Sequence, residues 1–376
     1  MRTTLAEFLD DRVIYRSLDP LDPHLPRYAK LAERVGLSPD AVPRKCQPAY
    51  ARVVGEILRA AFRLRGDGGG PDRVLFVGDT RGNDAAAFDQ LCRATGWPGI
   101  GFIGCETPDK EASWETVEAD ERILLLARRW RLLDDLDAFC AARRFPIDGR
   151  TAVIVDIDKT ALGARGRNDG AIDRARIDAV ERTLGDLLGQ APSWDACQRI
   201  YARLNHSSLH RWTADNQDVV AYLAMVVVAN AFPAEVMLRD DAMARFPDLV
   251  SVLAEVDRHL GALPAAAVDV HRRFRGGVAR SAPPEFDAFR RNEYAATVDR
   301  MALLPDDATR EERLANEITI TEEVRAAALR WRDRGALIVG LSDKPDAASL
   351  PTEAMAAAGH RPLHRTEARV VGPDSN

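Results

Sequence analysis

Residues 153–160 read VIVDIDKT. The apolar part, AVIV at 152–155, is short and rich in β-branched residues, as a strand buried on both faces must be. The polar part, Asp156-Ile157-Asp158-Lys159-Thr160, is then a loop leaving the carboxyl end of that strand. Two runs of the same kind lie elsewhere, VLFV at 74–77 and ALIVG at 336–340, with a weaker one, GIGFIG, at 99–104. Helical spacing of apolar residues fills Pro48–Leu64, 85–95 and a long stretch at 119–143. Strands alternating with helices predict an α/β core built on a parallel sheet with helices on both faces. In such sheets ligands bind beyond the carboxyl ends of the strands.

At 376 residues the chain exceeds one core of common size, which predicts two domains or one domain with a large insertion. No convincing strand stands between 161 and 330, where prolines interrupt a series of helical patterns. Three parts are therefore expected: an N-terminal helical extension over 1–44, a catalytic core over 45–160 and 331–376, and a helical insertion over 161–330. Net charge is −6, which argues against nucleic acid as the main partner. The five cysteines are scattered without C-x-x-C spacing, so neither a disulfide framework nor a zinc site is expected, and a reducing cytoplasm fits. The longest apolar run, AYLAMVVVANAF from Ala221, falls short of the roughly 20 residues that span a bilayer and reads as a buried helix, so no membrane partner is expected.

Three polar loops follow the three strong strands. Asp156 and Asp158 put two carboxylates two residues apart: one can attack a phosphorus atom, the other can protonate the leaving oxygen and later deprotonate water. Carboxylates around a phosphoryl group repel it, so a hard cation such as Mg²⁺ is required. Gly78-Asp79-Thr80-Arg81-Gly82-Asn83-Asp84 offers a tight turn and two more carboxylates. Leu341-Ser342-Asp343-Lys344-Pro345 offers a hydroxyl and backbone N–H groups for a phosphate oxygen.

Together these loops resemble the motifs of the haloacid dehalogenase-like (HAD) hydrolase superfamily, mostly phosphatases on a Rossmann-like core. DIDKT at 156–160 is similar to that family's first motif, LSDKP at 341–345 to its second, and VLFVGDTRGND at 74–84 to its fourth; about half the chain is covered. The resemblance implies that Asp156 is the nucleophile and Asp158 the acid/base. It further implies that Mg²⁺ is held by Asp156, Asp158, Asp79 and Asp84, and that Ser342 and Thr160 bind phosphate. The order is rearranged, because the fourth motif here precedes the other two. Circular permutation, with the chain opened between the second and third motifs, accounts for this. It predicts the third-motif basic residue at the start of the helix before the 74–77 strand. Lys45 stands there, with Arg44 as substitute and Lys344 as rival. Lys159 departs from the family's usual glycine or small residue.

On this resemblance the 161–330 insertion is a helical cap that closes over a small phosphorylated substrate. Weaker candidate contacts are Arg165 and Arg167 in GARGRN at 163–168, His206, His210 and Arg211, and the basic run at 271–280. The C-terminal stretch 361–372 reads as an edge strand or packing arm. The expected activity is phosphomonoester hydrolysis through an aspartyl-phosphate. A phosphomutase is the alternative within the same chemistry, and a non-catalytic binding protein that kept the fold is the alternative outside it. The sequence is silent on oligomeric state.

Overall fold

The computed structural model describes residues 1–189, 192–214, 216–237, 239, 241–280 and 284–373. Its ten strands are β1 (Arg2–Thr3), β2 (Val13–Ile14), β3 (Arg73–Gly78), β4 (Gly99–Gly104), β5 (Trp114–Ala119), β6 (Arg122–Ala127), β7 (Thr151–Asp156), β8 (Ile320–Thr321), β9 (Leu337–Leu341) and β10 (Ala368–Val371). Seven form a mixed sheet in the order β2-β9-β7-β3-β4-β6-β5, parallel throughout except for β5 against β6. The fold is thus α/β with a mostly parallel sheet. The other three form a small sheet, β1-β10-β8, in which β1 runs antiparallel to β10. The C-terminal stretch therefore supplies its central strand, which corrects the edge strand or packing arm expected for 361–372.

The hydrophobic pattern explains the layering. Val74 and Phe76, Ala152 and Ile154, and Leu337, Val339 and Leu341 project to one face of the sheet. The apolar stripe of Pro48–Leu64 covers them with Val53, Val54, Ile57, Leu58, Ala61 and Phe62, beside Phe88 and Leu91 of Asp84–Thr95. Elsewhere in the core, Leu133–Ala142 and Glu322–Asp333 pack together, joined by Trp331 Nε1 donating to Asp137 Oδ1 at 2.7 Å. Arg325 anchors the first helix of the chain through a paired contact with Glu7, both bonds 2.6 Å.

Two further expectations need correction. The single helix over 119–143 is not formed. The stretch instead contributes β6, which pairs with β4 and β5, then a short turn of helix at Trp130–Leu132, and only then the helix Leu133–Ala142. Its Leu- and Arg-rich composition favours a helix locally, but pairing with the open edge of β4 outweighs about half a kcal/mol per residue of propensity. The stretch 1–44 is not only helical: β2 extends the main sheet beside β9, and Arg12 and Ile14 carbonyls accept from Gly340 N–H at 2.8 Å and Ser342 N–H at 2.9 Å.

The chain forms two compact units, Met1–Ile172 with Val298–Asn376, and Asp173–Thr297. Parts of the expected insertion, 161–172 and 298–330, belong to the first unit and include the two-residue strand β8. The second unit is helical among its described residues. Its core includes the buried helix Gln217–Val228, as the AYLAMVVV run predicts. A buried ionic cluster holds it together: Arg290 donates to Asp218 Oδ1 at 2.7 Å and Oδ2 at 2.9 Å, and to Glu293 at 2.6 Å. No helix among the described residues is long and apolar enough to cross a membrane.

Candidate active site

The neighbours β9, β7 and β3 run parallel, and their registers place Asp156 opposite Leu341 and Val155 opposite Val77. The three polar loops therefore leave the sheet side by side, as the sequence argument requires. Carboxylate oxygens of Asp79, Asp84 and Asp156 lie within 4.8 Å of one another. All three residues are buried.

Asp84 organises its own loop. Its Oδ2 accepts from Asp79 N–H at 3.0 Å, Thr80 N–H at 2.8 Å and the Thr80 hydroxyl at 2.8 Å. This folding brings Asp84 against Gly78, where a Cβ would lie 2.6 Å from Asp84 Cβ, so residue 78 must be glycine. Asp84 Oδ1 accepts from Lys45 Nζ at 2.6 Å, and the same ammonium donates to Asp156 Oδ1 at 2.6 Å. Lys45 precedes the helix Pro48–Leu64 and is buried. Arg165 Nε closes the group from the other side by donating to Asp79 Oδ2.

The electrostatics follow from this crowding. Burial, with Asp156 and Asp84 adding repulsion, pushes the Asp79 carboxyl up to about 9, although Arg165 opposes the shift. Burial and Asp84 push Asp156 up to about 7 against the pull of Lys45. Burial alone would raise Asp84 too, but Lys45 and its hydrogen-bond donors hold it well below the usual carboxylate range. Burial disfavours the Lys45 cation, yet Asp156 and Asp84 keep it firmly protonated. Such a group of buried, mutually shifted carboxylates is characteristic of functional sites.

The remaining expected residues sit on the adjoining loops. Asp158 is half-buried, with Lys344 Nζ 3.6 Å from its Oδ1. Ser342 is buried; its hydroxyl accepts from Lys344 N–H at 3.2 Å. Thr160 is buried, and its hydroxyl has no hydrogen-bond partner among the described residues. Of the three candidate cations, Lys45 touches Asp156, Arg44 donates to Asp343 at 2.8 Å, and Lys344 approaches Asp158. Arg167 is committed to Glu323 through two bonds of 2.8 Å. In the helical unit His206 caps a short turn through Ser208 N–H, and His271 lies between the Tyr222 hydroxyl at 2.7 Å and Asp257 at 2.9 Å.

Two residues of the site escaped the sequence argument. Tyr50, on the first turn of Pro48–Leu64, is buried, and its hydroxyl lacks a hydrogen-bond partner among the described residues. Burial and the field of Asp343, Asp156 and Asp84 push its phenol up, against the opposing Lys45. Arg16 donates to Asp343 O at 2.8 Å and so fixes the loop after β9. Neither belongs to a motif; a helical-face aromatic and an isolated arginine carry no local signal.

The donor set suits a hard dication. It contains carboxylate oxygens only, close enough to share one ion, with neither histidine nor thiolate. Asp79 and Asp156 would hold it directly, because Asp84 already satisfies its loop and Lys45. Compared with protein-family models, with curated proteins and with solved structures, the chain matches none.

Proposed function

We propose that the chain is a Mg²⁺-dependent phosphomonoester hydrolase acting on a small substrate, with Asp156 as nucleophile. The observation that carries this reading is Lys45 Nζ, 2.6 Å from both Asp156, the last residue of β7, and Asp84, the first residue of the helix after β3. A buried ammonium held between two carboxylates supports the reading, because phosphoryl chemistry needs a fixed positive charge. The core is then Rossmann-like and HAD-like, and the helical segment between β7 and β9 corresponds to a cap. Permutation has further support in the pairing of β1 with β10, the strands flanking the proposed opening.

In this mechanism an Asp156 oxygen attacks phosphorus and the ester P–O bond breaks. Asp158 gives its proton to the departing alcohol, leaving an aspartyl-phosphate. The Asp158 carboxylate then takes a proton from water, whose oxygen attacks phosphorus and releases phosphate with Asp156 regenerated. Lys45 offsets charge on Asp156 throughout, while Ser342 and Thr160 offer hydroxyls to the phosphoryl oxygens. Mg²⁺, held by Asp156, Asp79 and the Asp158 carbonyl with Asp84 in support, would supply the charge that draws the phosphoryl group in.

The test is phosphate release from a panel of phosphomonoesters with Mg²⁺. The wild type should turn over at least one ester, and Asp156→Asn should stay folded yet lose at least about a thousandfold in rate. Equal rates for Asp156→Asn and wild type would remove the assignment. Transfer of the phosphoryl group to a second hydroxyl, without free phosphate, would identify a mutase instead.

A further inference from the structure

Arg165 differs from the other members of the site in exposure and attachment. The side chains of Lys45, Asp84, Asp156 and Asp79 are 3%, 3%, 6% and 4% exposed, whereas that of Arg165 is 35% exposed. Its side chain is therefore the most exposed of these five. Its backbone is locked. The Arg165 N–H donates to Lys159 O at 2.8 Å, and its carbonyl accepts from Glu106 N–H at 2.9 Å and Trp130 Nε1 at 3.1 Å. Gly166 follows at φ 78°, where a Cβ would lie 2.1 Å from Glu106 O, so the turn admits no other residue without rearranging. Against this fixed base, the guanidinium has one ion-pair partner among the described residues, Asp79.

Charge matching makes that contact exchangeable. Three carboxyl groups face two cations. Lys45 is engaged twice and buried; Arg165 is engaged once, at the edge. Arg165 covers Oδ2, one of the two Asp79 oxygens, and a dication on the same carboxylate would be repelled by the guanidinium beside it. Lys45 and a dication together balance three carboxylates, which leaves the guanidinium surplus beside an incoming phosphoryl dianion. Arginine suits that second role, because its fork matches phosphate oxygens.

We infer that Arg165 is a place-holder cation: it occupies Asp79 in the metal-free chain, yields that oxygen to a divalent metal, and then binds the anionic group of the substrate. The inference rests on the reading of the cluster as a metal-dependent phosphoryl centre. It assigns a function to GARGRN at 163–168 and explains a fixed backbone beneath a lightly held side chain.

Calorimetric titration of MgCl₂ into the full chain tests it, with wild type, Arg165→Ala and the stem-preserving Arg165→Gln, followed by inorganic phosphate at saturating Mg²⁺. Removing the competitor should tighten Mg²⁺ binding about five- to tenfold, the scale of one ordinary net hydrogen bond. The same variants should bind phosphate about five- to tenfold more weakly. A merely structural arginine would not move the two affinities in opposite directions. Unchanged or weaker Mg²⁺ binding in both variants, or unchanged phosphate binding, overturns the inference. If wild type binds Mg²⁺, Asp79→Asn loses it, and Arg165→Ala binds no tighter, the inference falls while the metal centre stands. If none of the folded proteins binds Mg²⁺, the metal centre falls and the inference with it.

Discussion

Lys159 takes the left-handed backbone conformation, φ 64°, directly after Asp158. That accounts for the glycine or small residue implied at this position by the family resemblance, and it shows what the lysine supplies instead. Its carbonyl accepts from Arg165 N–H at 2.8 Å, and its ammonium lies 3.9 Å from Asp169. A non-glycine residue costs about 1–2 kcal/mol in this conformation, and a β-branched one more. Lys159→Gly should therefore fold at least as stably as wild type, the relieved strain being offset in part by glycine's greater freedom in the unfolded chain. Lys159→Val should be less stable than Lys159→Gly by about 2 kcal/mol in urea unfolding; equal midpoints would show that the backbone is relaxed there. Individual residues differed in legibility for a physical reason. Asp156 was readable because it ends one buried strand, Asp79 and Asp84 because they share the short polar loop after another, and Lys45 because a permuted motif order would put a basic residue ahead of the helix Pro48–Leu64. The Arg165–Asp79 contact spans 86 positions. It depends on how a loop turns over Glu106, which no periodicity records.

Among elements, the three central strands were legible because both of their faces are buried, leaving continuous apolar runs. The β5–β6 hairpin was not. Its turn sets Asp120 at φ 52°, a conformation that aspartate tolerates, but ILLLARRWRLL suits a helix equally well by composition. β1, β2 and β8 are two residues long, so pairing with a neighbour, and no pattern of their own, defines them. Within the helical unit, Asp218 accepts from both Arg290 and Phe286 N–H, joining Gln217–Val228 to the residues ahead of Asp287–Asp299. Arg290→Ala would remove the buried cation between Asp218 and Glu293, although Arg176 also donates to Glu293 at 3.3 Å, and should cost about 3 kcal/mol in urea unfolding. Arg290→Ala together with Asp218→Asn and Glu293→Gln should recover part of that loss. A single variant as stable as wild type would mean that the cluster contributes nothing net.

For the whole molecule, the pH dependence of stability reports the acidic cluster. Asp156 and Asp79 are raised to about 7 and about 9 in the folded chain, against about 3.9 when unfolded. The folded, metal-free protein therefore holds more protons between about pH 4 and 9, and its stability falls as pH rises through that window. The depressed Asp84 acts in the opposite sense, below about pH 4. In chelator, the wild-type melting temperature should drop from pH 5 to 9, with a shallower slope for Asp79→Asn; a rising wild-type slope would contradict the cluster as described. Mg²⁺ binding below pH 9 should release protons, which calorimetry in buffers of different ionisation enthalpy detects.

The central claim is that Asp156 carries the phosphoryl group. Its most direct test is mass spectrometry of peptides from enzyme quenched in acid during turnover with Mg²⁺. The account predicts a phosphoryl adduct on Asp156 that accumulates in Asp158→Asn with an aryl phosphate, whose leaving group departs without a proton while water is no longer activated. Phosphate release by the wild type without any adduct, together with undiminished turnover by Asp156→Asn, would contradict it.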